Sequence, residues 1–415
     1  MNLNLKGIAA CLLAATMVSP AFANEGPVPQ GVPHLDHVFV IMMENHGYSQ
    51  ILNNPNAPFV NHYAKSANTA KNYFAVAHPS LTNYLEVAGG SNFGVLSDNN
   101  PDWHNATCTT NLASGIANTD NPASPHVCPI DGNGTDAATP AIDITNEVQG
   151  APGELNIDGT LSIPAATNVS GKTIADQLVA AGLSWKSYQE NLPPAGADGV
   201  NFSDGFFTDS SNIPGTIPGE KQGLIKLYAA KHNPFVYFRS VQEGQSDGLG
   251  LDRIVGFAGA RGFFEDLSSG RVPHFSFIAP NQCNDQHGRG NAGPQCDYDP
   301  SANGTQQGLN PALIYLGDLA VRNIVKAIHS SPAWQEGRNA IVVVWDENDY
   351  SVAPSTNQVL LIVDTNYGPH GVQSANFYTH FSLLKSIEAG LGLPCLNHAC
   401  DANSKVMSDL FRAGQ

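Results

Sequence analysis

Four places in the chain set carboxylate, amide or imidazole side chains just after a short apolar run. Met43 is followed by Glu44-Asn45-His46-Gly47, and Ile278 is followed closely by Asn281-Gln282-Cys283-Asn284-Asp285-Gln286-His287-Gly288. Val344-Trp345 leads into Asp346-Glu347-Asn348-Asp349, and Val363 is followed within a few residues by Tyr367-Gly368-Pro369-His370-Gly371. Asp and Asn often do no more than end a strand, so one such cluster alone carries little. Four together read as one site assembled from distant segments. A fifth place adds a hydroxyl: His78-Pro79-Ser80-Leu81-Thr82-Asn83-Tyr84 puts Ser80 at the entry to a helix. A serine there is an ordinary N-cap unless something else claims it. The same helix end presents free N–H groups and a positive dipole end, which favour a bound phosphate. A hydroxyl held there and bound to a metal would be acidified and aimed at a substrate.

The elements that must position these groups alternate. His37–Met43 is short, apolar and β-branched, the pattern of a strand buried on both faces. Further strands are expected at Leu183–Tyr188, Phe235–Phe238, His274–Ile278, Ala340–Trp345 and Val359–Val363. Helical patterns lie around Leu81–Ala88, Thr173–Ala181, Pro311–His329 and Phe381–Leu391, and Thr173 with Asp176 matches a capping box. Strands alternating with helices predict an α/β fold, a three-layer α/β/α sandwich with a mostly parallel central sheet. In such sheets ligands gather beyond the carboxyl ends of the strands, where the polar clusters fall. From about Ser97 to Gly171 the chain turns to Asn, Thr, Gly and Pro with little periodicity, which reads as a surface excursion.

The 415 residues carry 19 Lys+Arg against 36 Asp+Glu, a formal net charge of −17. With no basic tract, a nucleic-acid partner is excluded, because affinity for the phosphate backbone needs clustered Lys and Arg. Met1–Ala23 reads as a secretory signal: Lys6, an apolar run from Ile8 to Val18, then Ala21-Phe22-Ala23 as the cleavage site. That run is too short to span a bilayer, and no later stretch reads as an integral membrane segment. The expectation is an exported protein, periplasmic or secreted, with one domain over residues 24–415 and the excursion at about 97–171. Export makes disulfides the natural use of the cysteines beyond Cys11. Proximity groups them as Cys108–Cys128, Cys283–Cys296 and Cys395–Cys400.

Taken together, Met42-Met43-Glu44-Asn45-His46, His78 to Tyr84, Pro280 to His287, Trp345 to Asp349 and Tyr378-Thr379-His380-Phe381-Ser382-Leu383-Leu384-Lys385-Ser386-Ile387-Glu388 resemble the bacterial phosphoesterase family. That family holds secreted acid phosphatases, phosphatidylinositol-phosphate phosphatases and phospholipases C, within the alkaline phosphatase superfamily. The resemblance implies an alkaline-phosphatase-like fold and a metal held by Glu44, Asn45, Ser80, Asp346 and Glu347. It implies that Ser80 is the nucleophile that becomes phosphorylated, with Thr82 ranked below it. Asp285, His287 and His370 would lie across the phosphate, as hydrogen-bond donors, leaving-group acid or ligands of a second metal; Asn45, His287 and His370 would contact substrate.

Oxygen donors of this kind suit Mg²⁺, Ca²⁺ or Mn²⁺, and zinc if His287 and His370 also ligate. The implied activity is a phosphomonoesterase acting on a small phosphorylated substrate, a phosphoinositide or phospholipid head group included. A phospholipase C-type phosphodiesterase is the alternative. His62, His104, His126, His232, His329 and His398 are expected to stand outside the site. Gly244-Gln245-Ser246-Asp247-Gly248 matches a hydrolase nucleophile elbow but lacks a strand directly before it.

Overall fold

A computed structural model describes residues 25–95, 98, 139–140, 161–162, 169, 171–192, 227–289, 292–301, 305–349 and 357–413. The expected signal segment Met1–Ala23 and the Cys108–Cys128 pair lie outside the described residues. In chain order the strands are β1 (His37–Met43), β2 (Asn68–Ala70), β3 (Tyr73–Phe74), β4 (Thr139–Pro140), β5 (Leu161–Ser162) and β6 (Trp185–Gln189). They continue with β7 (Ile254–Val255), β8 (Phe275–Ala279), β9 (Asn339–Trp345), β10 (Leu361–Thr365), β11 (Gln373–Ser374) and β12 (Tyr378–Thr379). The helices are α1 (Tyr48–Ile51), α2 (Pro58–Ser66), α3 (Ser80–Gly89), α4 (Ile174–Ala180) and α5 (Arg239–Gln242). After them come α6 (Phe263–Ser269), α7 (Pro311–His329), α8 (Pro332–Gln335) and α9 (His380–Leu391).

Eight strands form one sheet in the order β11-β2-β10-β9-β1-β8-β6-β7. β1 lies between two parallel neighbours, with Met43 opposite Trp345 of β9 and Ile41 opposite Ile278 of β8. Three carboxyl ends therefore finish side by side. All seven residues of β9 and six of the seven in β1 are buried, so both faces of the sheet must be covered. Two helix groups do this: α2, α6 and α8 pack with α7, while α3 packs with α9 and α4. Thr173 caps α4 as expected, accepting from the N–H groups of Ala175 and Asp176, while Asp176 Oδ2 returns to Thr173 N at 2.8 Å.

Two expectations need correction. β10 runs antiparallel to β9, with Leu361 opposite Val344 and Thr365 opposite Ala340. The segment after β10 therefore emerges at the other end of the sheet from Trp345. Phe235–Phe238 is no strand: Pro234–Tyr237 is a 3₁₀ turn opened by a proline, which has no N–H to give to a ladder. Its aromatic residues Phe235 and Tyr237 are nonetheless buried in the core. Among the described residues, no helix is long and apolar enough to cross a membrane. The structure joins Cys283 to Cys296 and Cys395 to Cys400, with Cα–Cα distances of 5.0 and 5.2 Å.

Candidate active site

The three aligned strand ends are stitched together by their first polar residues. Glu44 N donates to Asp285 O at 2.8 Å, Asp346 N to Met43 O at 2.9 Å, and Asn45 N to Asp346 Oδ1 at 2.8 Å. Asn45 takes a left-handed conformation, φ 53°, which Asn tolerates better than most residues and which turns the chain directly after Glu44. Gly288, φ 90°, closes the loop after His287 against the segment tied by Cys283–Cys296; a Cβ there would meet Tyr298 N at 2.8 Å.

Ser80 is the first residue of α3, and Pro79 takes the N-cap position without a side-chain bond. The serine hydroxyl is thus not spent on capping. Its Oγ lies 3.1 Å from Glu44 Oε2 and 3.1 Å from Glu347 Oε1. One hydroxyl proton can serve only one of these acceptors at a time, so the oxygen sits between two proton acceptors. Lys231 Nζ approaches the same oxygen at 3.4 Å. Glu347 is oriented from behind by His78 Nδ1 at 2.8 Å and Asn83 Nδ2 at 3.2 Å.

The ring of His232 lies between Glu44 Oε1, 3.0 Å from Nε2, and Asp285 Oδ2, 3.1 Å from Nδ1. Neither contact is aligned as a hydrogen bond. His287 N donates to Asp285 Oδ1 at 2.7 Å. His287 Nδ1 faces Gly288 O at 2.9 Å; a carbonyl only accepts, so the proton is on Nδ1 and Nε2 is the bare acceptor that Lys231 Nζ meets at 3.1 Å. Beside these buried groups lies a cleft of about 420 Å³ that Asn45, Ser80, Asp98, Lys231, His287 and Glu347 help to line.

The electrostatics are those of crowded, dry carboxylates. Burial, then the Asp346 and Glu347 charges, hold the Glu44 carboxyl well above its ordinary range. Burial and Glu347 do the same to Asp346, and burial and Glu44 to Asp285. Burial, Lys231 and His287 push His232 well down, and burial with Lys231 takes His287 down to about 3. Burial opposes the Lys231 charge, yet Asp98, Glu44 and Glu347 hold its pKa above the ordinary lysine value.

A divalent cation fits this arrangement. Asp346 Oδ2 is buried with no donor aimed at it, and Glu44, Asp346 and Glu347 repel one another across the Ser80 hydroxyl. Oxygens of Glu44, Asn45, Asp346, Glu347 and Ser80 make a hard donor set. Nitrogen donors begin beside it: ligand atoms of Glu44, His232 and His287 all lie within 4.8 Å of one another.

Of the residues singled out by type and spacing, Glu44, Asn45, Ser80, Asp285, His287, Asp346 and Glu347 converge here. His370 does not. It follows the antiparallel strand, so it lies at the far end of the sheet, half-exposed, with Nδ1 3.6 Å from Asp364 Oδ1. Thr82 also faces away, donating to Val95 O at 3.2 Å. His232, expected to stand apart, is in the centre, and Lys231, Asp98 and His78 were not anticipated. Lys231-His232 arrives from a 3₁₀ turn (Ala230–His232) beside the sheet, where reading strand ends does not look. The signal available was a Lys-His pair directly ahead of a buried aromatic run.

The model of the Phosphoesterase family matches residues 50–296, and the chain belongs to that family. It is 24 % identical over 366 residues to an acid phosphatase of Aspergillus fumigatus, covering 88 % of this chain and 57 % of that one. It is 26 % identical over 344 residues to the phosphate-repressible acid phosphatase of Penicillium chrysogenum, covering 82 % and 56 %. The chain thus spans little more than half the length of these fungal relatives. Over 400 residues it is 22 % identical to the phosphatidylinositol-3-phosphatase of Mycobacterium tuberculosis, covering 95 % and 90 %. A solved protein of the alkaline phosphatase superfamily from Vibrio parahaemolyticus overlaps it at 12 % identity and TM-score 0.43, over 90 % of this chain and 69 % of that one.

Proposed function

We infer that the chain is an exported, metal-dependent phosphatase that hydrolyses phosphate monoesters through a phosphoserine on Ser80. The observation that carries this is the Ser80 hydroxyl at the start of α3, released from capping and held 3.1 Å from each of two carboxylates with a lysine beside it. Glu44 or Glu347 takes the hydroxyl proton as Oγ bonds to phosphorus and the P–O bond to the leaving group breaks. Water then attacks phosphorus, the P–Oγ bond breaks, and the carboxylate that took the serine proton returns it to Oγ as phosphate leaves.

Glu44, Asn45, Asp346, Glu347 and Ser80 would hold a divalent ion, with His232 and His287 as nitrogen donors beside them. Such an ion neutralises phosphate charge and acidifies the serine. The disulfides Cys283–Cys296 and Cys395–Cys400 support export, since such bonds persist in oxidising compartments. The near full-length relation to a phosphatidylinositol-3-phosphatase favours a phosphoinositide head group as one substrate to try.

The test is purified protein assayed on p-nitrophenyl phosphate and on p-nitrophenylphosphorylcholine, with and without chelator. The monoester should be the better substrate, with turnover lost to chelator and restored by a divalent ion. Hydrolysis of neither after reloading Mg²⁺, Ca²⁺, Mn²⁺ and Zn²⁺ overturns the enzymatic reading. Preference for the choline diester makes it a phosphodiesterase.

A further inference from the structure

Lys231 stands outside the donor set for a metal, yet it approaches the nucleophile more closely than any other cationic side chain among the described residues. Its ammonium is 3.4 Å from Ser80 Oγ and 3.1 Å from His287 Nε2. Its side chain is only 15 % exposed and opens onto the cleft, where among the described residues it is the sole Lys or Arg.

The position is built rather than incidental. Asp98 Oδ2 holds the ammonium at 2.8 Å, while Asp98 Oδ1 takes the Leu81 N–H at 3.1 Å. Leu81 is the second residue of α3. One carboxylate therefore ties the lysine and the first turn of the nucleophile's helix into a single register. From the other side, the 3₁₀ turn Ala230–His232 carries Lys231 while placing His232 against Glu44.

We propose that Lys231 reads the charge of the substrate: its ammonium takes a non-bridging oxygen of a phosphate seated on Ser80 and so sets the preference for dianionic monoesters over monoanionic diesters. This rests on the phosphatase reading. The carboxylates among the cleft's lining, Asp98, Glu347 and Asp349, repel anions. A dianion brings one more charge than a diester into that field, and it gains correspondingly more from a fixed ammonium. Asp98 is a positioning residue: it aims the lysine and restrains it between turnovers.

The experiment compares wild type, Lys231→Met, Lys231→Arg and Asp98→Asn at saturating divalent metal, with metal content and melting temperature measured for each. Substrates are p-nitrophenyl phosphate and bis(p-nitrophenyl) phosphate. Lys231→Met should lower monoester kcat/KM about 100-fold, the scale of losing one preorganised charge-stabilising donor, and diester kcat/KM less than about tenfold. Inhibition by inorganic phosphate should weaken in parallel with the monoester. Lys231→Arg, which keeps the charge, should recover most of the monoester-to-diester ratio.

Asp98→Asn keeps the ammonium but loosens its aim. It should raise monoester KM more than it lowers kcat and shift the same ratio in the same direction, which tests the proposal even where the methionine variant does not fold. Equal losses on both esters, or an unchanged ratio in Asp98→Asn, overturn the proposal while leaving the phosphatase standing. A wild type inactive on both esters instead removes the phosphatase reading beneath it.

Discussion

The sheet carries a histidine–carboxylate cluster at each end, and the two are built differently. At the carboxyl ends of β1, β8 and β9, Glu44, Asp285, Asp346 and Glu347 are all buried, with Ser80, His232 and Lys231 among them. At the opposite end a lone carboxylate, Asp364, receives His329 Nε2 at 2.9 Å, Tyr63 OH at 2.9 Å and, more distantly, His370 Nδ1 at 3.6 Å. There the histidine side chains are 39 % and 47 % exposed, and one carboxylate faces several donors. The first cluster has more negative charge than its own donors can balance, held away from water. The second is already satisfied. Residue types alone do not distinguish the two; the excess of buried charge and the free nucleophile do.

The sharpest break between them is a pair of truncations. Ser80→Ala should cost roughly 1,000-fold or more in kcat, since it deletes the reacting atom, whereas His370→Ala should stay within about twofold. Measured on one phosphomonoester under one metal condition, equal losses would put the site at the wrong end of the sheet. Next in size is Asp346→Asn. It should lower turnover about 100-fold or more by removing a donor for the cation. The metal-free variant should melt higher than metal-free wild type, because a buried carboxylate pressed against Glu44 and Glu347 has gone. Asp364→Asn should do the reverse, costing on the order of 1 kcal/mol from weakened hydrogen bonds and leaving turnover intact.

A third comparison separates the two buried-or-exposed histidines. His232→Ala should reduce turnover or metal affinity about tenfold or more, the scale for groups that orient a metal's surroundings, and His329→Ala should change neither. Steady-state rates across a metal titration decide it.

Where the site lies was legible because buried parallel strands announce themselves. His37–Met43 and Pro311–His329 are found with the bounds the apolar patterns give, and Glu44, Asp285 and Asp346 follow from strand ends that the sheet must align. His370 was misplaced because a buried apolar strand reads the same in either direction. A clue to direction lay in the connection: the stretch from Asp346 to Leu360 is polar and shows no helical pattern, where a parallel return would need a crossover helix. His232 and Lys231 were illegible for another reason. Their turn is shaped by Pro234 and by packing of Phe235 and Tyr237, so tertiary contact rather than periodicity delivers them.

The last test asks whether burial alone, without convergence, mimics the site. Glu388 on α9 is fully buried, and its Oε1 accepts from Leu396 N at 2.9 Å while Oε2 has no partner. Burial holds its carboxyl well above the usual range, with the Leu396 N–H and Lys385 opposing and Glu25 adding to the effect. Because the folded state keeps this proton at a pH where the unfolded chain has lost it, Glu388 favours folding below about pH 4. That contribution is lost as pH rises through the raised folded value. Glu388→Gln should therefore match wild type in melting temperature at low pH and exceed it at neutral and higher pH, by on the order of 1 kcal/mol. Turnover should be untouched throughout. A variant that lost activity, or whose advantage shrank with rising pH, would mean that Glu388 belongs with the functional carboxylates and that the contrast between the clusters is drawn in the wrong place.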